Sequence, residues 1–125
     1  MDDRTLHIPD KLSAQGRAAA EVILRLAQQD ERTETGGCRA FYSPREWKER
    51  GEKFGADSLL VVVHDGSDLA AYFNYDREDY DAIERMDNAL EEIGLMAQSC
   101  TGWYTAIYTT HGRASDKENS PWAER

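Results

Sequence analysis

A chain of 125 residues makes about one domain, and a hydrophobic content of 40% suffices for one ordinary core, which excludes a chain disordered throughout. The formal net charge of −9 argues against direct binding to nucleic acid or to an anionic membrane, because both are held through Lys and Arg. No apolar run approaches the ~18 residues of a membrane span, and the charged opening Met1-Asp2-Asp3-Arg4-Thr5 has no apolar stretch behind it, so no secretion signal is read and a cytoplasmic location is expected.

In chain order, the first helix is predicted from Asp10 or Ser13 to Gln29. Pro9 can start it and Ser13 can cap it, while Ala19, Val22, Ile23 and Leu26 share one face that Leu12 extends. The polar run 28–37 reads as a helix end followed by the most flexible internal loop. Residues 38–42 read as a short extended piece. Ser43-Pro44-Arg45-Glu46 then spells a capping box with Pro at the first helical position. It predicts a short helix that ends before Gly51 and turns Trp47 inward.

The β-branched run 59–63 predicts a buried strand. His64-Asp65-Gly66-Ser67-Asp68 reads as a tight turn. Residues 69–75 read as the return strand of a β-hairpin, with Leu69, Ala71, Phe73 and Tyr75 on one face. Asp76 is expected to cap a long helix that Gly94 ends, with Ile83, Met86, Leu90 and Ile93 as its core stripe. Residues 100–108 predict a further strand that returns beside 59–63. The whole is an α+β fold: a small, mostly antiparallel sheet of three strands, or four, with a ββαβ C-terminal half, packed by the N-terminal helix and a long acidic helix. Residues 1–109 are expected to form the single domain and 110–125 a polar, mobile tail.

Chemistry-bearing motifs are sparse. His64, Asp65 and Asp68 fall within five residues and could hold a metal or supply a base. A tight turn uses Asp and Gly in any case and is the favoured reading, and neither a zinc spacing nor a calcium loop is present. Cys38 and Cys100 are isolated and read as buried thiols. Cys100 as a nucleophile with His64 as its base, and Asp65 beside it, is the alternative. Gly-rich phosphate loops and G-x-S-x-G are absent. No cofactor and no metal are expected.

The strongest feature is charge placement. Residues 76–95 carry eight acidic and two basic side chains, a local charge of −6. At 100° per residue, Tyr80, Glu84, Asp87 and Glu91 form one stripe that Asp81 flanks, with successive carboxylates about 5–6 Å apart along the axis. A helix made only for solubility usually mixes Lys among its Glu. The expected function is therefore a binding protein that presents Tyr80, Asp81, Glu84, Asp87 and Glu91, with neighbouring aromatics, to a basic protein surface. In size and acidity the chain is similar to small phage- or plasmid-borne inhibitors of nucleic-acid enzymes, which implies a nucleic-acid-binding protein as the partner. A second reading is a small enzyme or metal-binding domain centred on His64, Asp65 and Asp68. A third is a homodimer that uses the aromatic face of the sheet.

Overall fold

A computed structural model describes residues 6–35, 37, 39–52, 55–100 and 103–110. Helix α1 (Ala14–Gln29) begins where Ser13 Oγ accepts from the Gly16 amide at 3.0 Å. That bond satisfies one of the amides a helix N-terminus leaves open. Its small buried residues, Ala19, Ala20 and Ala27, let the helix lie close to the sheet beside Val22 and Ile23. Gly16 is the extreme case, because a Cβ there would stand 2.4 Å from the Leu59 carbonyl oxygen. Gly16→Ala should therefore cost about 1–3 kcal/mol, the range for overpacked cores. The loss would be read as a lower urea midpoint, and an unchanged midpoint would mean that the helix is not held this close.

Strand β1 (Phe41–Tyr42) leads into helix α2 (Pro44–Glu49). The capping box forms as its sequence spells it. Ser43 Oγ accepts from the Glu46 amide at 3.1 Å, and the Glu46 carboxylate accepts from the Ser43 amide at 2.9 Å. Strands β2 (Leu60–Val63), β3 (Leu95–Ser99) and β4 (Tyr104–Thr109) complete a four-stranded antiparallel sheet of order β1-β2-β4-β3. The protein is α+β, and β4 pairs with β2 as expected, with Val61 opposite Ala106.

The predicted hairpin does not form. Residues Ala70–Phe73 make a short helix, α3, and Tyr75–Arg77 a 3-10 turn. The reason is local and tertiary together. Ser67 Oγ accepts from the Leu69 amide and starts a turn rather than an extended return. Ala70, Ala71, Tyr72 and Phe73 are then all buried, so no polar face exists to show the period. The C-terminal half is consequently βααββ. Its last two strands form the hairpin, and β3 occupies a segment read as lying beyond the helix.

Helix α4 (Tyr80–Glu91) starts later than expected. Asp79, not Asp76, caps it, through Oδ1 accepting from the Ala82 amide at 3.3 Å. Gly94 adopts φ 78°, a left-handed conformation that a side chain would resist, and the helix ends before it. Ile83, Met86 and Leu90 are buried as predicted, but Ile93 is 43% exposed, because the chain has already turned toward β3.

The two faces of the sheet are covered differently. Leu60, Val62 and Ile107 point toward α1, α3 and α4 and form the main core with Ile23, Phe41, Met86 and Leu90. Val61 and Tyr104 point the other way and pack on Trp47 from α2. The segment 30–35 is coil, as read, but it is pinned rather than loose. The Glu34 carbonyl accepts from the Asp68 amide at 2.7 Å, Asp68 Oδ2 accepts from the Glu34 amide, and Thr35 is buried. The expected tail beyond residue 110 lies outside the described residues.

Candidate functional site

The outward face of α4 is acidic because its inward face is apolar and its one basic residue, Arg85, is engaged elsewhere. Ala82, Ile83, Met86 and Leu90 turn toward the core, which leaves Tyr80, Asp81, Glu84, Asp87 and Glu91 exposed. Arg85 does not run along this stripe. Its guanidinium donates to both oxygens of Asp30 at the end of α1, at 2.8 and 3.1 Å. The Tyr72 hydroxyl donates to the same carboxylate and to the Leu26 carbonyl. Arg85 and Tyr72 together hold the Asp30 carboxyl below the usual carboxylate range, while burial and the Asp30 bond push the Tyr72 phenol up. Arg32 donates to Asp79 at 3.0 Å, so a second nearby cation serves the helix cap.

Among the described residues, Asp81, Glu84, Asp87 and Glu91 have no ion-pair partner. Burial, and after it the charge of Glu91, raises the Asp87 carboxyl above its ordinary value. Tyr75 and Tyr80 stand beside this face, 58% and 60% exposed. The stripe read from the sequence is thus brought together on one surface. Tyr75 joins it through the 3-10 turn, and no sequence periodicity signals that position.

The turn after β2 separates the residues of the second reading. His64 is 1% exposed and continues the inner-face alternation of Leu60 and Val62. Its Nε2 lies 3.0 Å from Thr105 Oγ1, and its ring stacks on Phe73 at 5.7 Å between centroids. Burial lowers its pKa to about 4; the Asp65 charge opposes this and Arg77 adds to it. Among the described residues His64 Nδ1 has no hydrogen-bond partner. Asp65 is exposed, and Asp68 is committed to the Glu34 amide. Among the described residues no group of three His, Cys, Asp or Glu side chains is placed to hold a metal.

Cys100 is a free, half-buried thiol packed against the Trp47 cluster, on the opposite face of the sheet from His64 and its Phe73 stack. Burial raises its pKa, the reverse of what activates a nucleophile. Cys38 lies outside the described residues. The aromatics of the outer face pack on one another: Trp47 meets Tyr104 at 4.8 Å and Tyr42 at 5.1 Å. Arg50 and Arg39 lie over Trp47 and Tyr42. That face is therefore occupied from within the chain.

A broad hollow of about 620 Å³ lies between the segment at His7 and Asp10 and the start of α2. Four of its charged side chains are paired within the chain, Arg39 with Glu46 and Arg45 with Glu49, while Asp10 and Lys11 also line it. A much smaller one, of about 60 Å³, lies between α3, α4 and the end of the sheet, and Asp87 and Thr105 line it. No described helix is long and apolar enough to cross a membrane. No family model, curated protein or solved structure matches the chain.

Proposed function

We propose that this chain is a binding protein that presents the outer face of α4 to a basic surface on a protein partner. A nucleic-acid-binding enzyme is the class of partner, and inhibition by occupying its phosphate-binding surface is the expected consequence. The observation that carries this reading is the unpaired state of Asp81, Glu84, Asp87 and Glu91, among the described residues, while Arg85 is held against Asp30. Like charges at these helical spacings cost about 0.2–0.5 kcal/mol per pair. A nearby arginine directed away from them leaves that repulsion unrelieved among the described residues. A basic partner would relieve it, and exposed Tyr75 and Tyr80 supply apolar contact of the kind that interfaces concentrate.

The test is Glu84→Gln with Asp87→Asn and Glu91→Gln. The triple variant should keep its melting temperature or gain slightly, because repulsion is removed. Partners captured by the wild type in cell extract, once purified, should bind the variant at least ten-fold more weakly, mainly through slower association. The remaining affinity should depend less on salt. Equal affinity of wild type and variant at low salt would sink the reading.

A further inference from the structure

The hollow between α3, α4 and the sheet end has a mixed lining. Aromatic and aliphatic side chains, among them Phe73, Tyr75 and Ile83, share it with the hydroxyls of Ser99 and Thr105 and with Asp87, its one carboxylate. We propose that this cleft receives the ammonium tip of a lysine side chain from the protein partner, with Asp87 as its counter-ion and the aromatic side chains as its walls. The inference rests on the reading of α4 as the face that meets a basic partner, and it names the point at which one side chain enters.

Size and charge both select this occupant. A volume of about 60 Å³ exceeds the ~10–15 Å³ that a single water requires. A primary ammonium is the most compact cationic side-chain tip, one nitrogen against the four heavy atoms of a guanidinium. Aromatic walls attract a cation through the negative faces of their rings. A carboxylate that borders an apolar cleft gains more from a cation than one surrounded by water does. Burial already disfavours the charged form of Asp87, and among the described residues it has no cation of its own. Arg77 is close enough for its charge to reach His64, yet it does not line the cleft. The floor is fixed: Thr105 is held by buried His64, which in turn stacks on Phe73, so two of the lining residues are positioned by one ring. An anionic or neutral occupant would have to tolerate Asp87, and a second copy of this acidic chain would bring like charge to like.

The experiment is an NMR titration of the full chain with short capped peptides that differ at one central residue: lysine, trimethyl-lysine, acetyl-lysine or arginine. The lysine peptide should shift the amides of Tyr75, Asp87, Ser99 and Thr105 saturably, and the acetyl-lysine peptide should not. Asp87→Asn should weaken lysine binding at least ten-fold. Tyr75→Ala, a change at an exposed ring, should weaken it several-fold with the melting temperature retained. Glu84→Gln with Glu91→Gln, which removes only neighbouring charge, should weaken it far less than Asp87→Asn does at 0.15 M salt, on the order of physiological ionic strength. Equal shifts from acetyl-lysine, stronger binding of arginine, or full binding by Asp87→Asn would each overturn the site. Shifts confined to residues around Glu84 and Glu91 would overturn the cleft and leave the acidic-face reading standing. Loss of partner affinity in the Glu84 and Glu91 double variant, with lysine binding in the cleft largely retained, is the expected pairing of results.

Discussion

Trp47→Ala is expected to lower the stability of the protein by about 3–5 kcal/mol, the range for removing a large aromatic side chain from a core. Trp47 is fully buried, yet it belongs to a helix of only six residues. A helix that short has no stability of its own. What keeps it on the sheet is the capping box at one end and the indole packed on Val61 and Tyr104 in the middle. Without the ring the outer face of the sheet loses its cover, and Arg50 and Tyr42 lose the surface they pack on. Urea denaturation followed by tyrosine emission, together with the remaining tryptophans, would measure the loss. A cost below about 1 kcal/mol, far under the range for a buried aromatic, would mean that the outer layer is not part of the cooperative unit. Binding through α4 should survive in whatever fraction remains folded, because the two surfaces lie on opposite sides of the sheet.

The second large effect is acid sensitivity from His64. Its folded pKa is lowered to about 4 from an ordinary value of 6.5, because the buried ring resists charge. The unfolded chain takes up a proton near pH 6.5 and the folded chain does not until near pH 4. Stability is therefore fully present above pH 6.5 and falls as the pH drops from 6.5 to 4. The total loss is on the order of 3 kcal/mol, at about 1.36 kcal/mol per pKa unit. The groups whose charge reaches the ring are Asp65, which favours protonation, and Arg77, which opposes it. The depressed carboxylates act in a different window. Asp30 and Asp79 contribute stability that is lost only as the pH falls below their ordinary value of 3.8.

Denaturation midpoints at about pH 7.5, 6 and 5, which span the upper part of that window, should thus decline for the wild type. His64→Gln should be less stable at the highest pH, since it disturbs the contact with Thr105 and the stack on Phe73, yet nearly flat over the same interval. A wild-type midpoint that does not change across the series would show that His64 is not held neutral in the fold. The same slope in both proteins would assign the acid response to another group.

What the sequence by itself determined is what short-range physics dictates. Ser43, Pro44 and Glu46 build their cap within four residues, so the start of α2 was legible, as was α1 from Ser13 and its apolar face. The β-branched run at 60–63 has one good solution, a buried strand. The acidic stripe was legible because helical period alone places Glu84, Asp87 and Glu91 together. Tertiary structure decided the rest. Residues 69–75 alternate in a way that suits a strand, but every side chain of Ala70–Phe73 is buried, so the pattern holds no information about which face is solvated. Strand β3 exists through its pairing with β4, and nothing within Leu95–Ser99 demands it. The destination of Arg85 was likewise invisible. Its neighbours in sequence are the acids of α4, and only the packing of α1 against α4 brings Asp30, 55 positions away, within 2.8 Å. That contact takes Arg85 away from the carboxylates of α4, which have no ion-pair partner among the described residues, and it is formed between residues too far apart in the chain for any local rule to connect them.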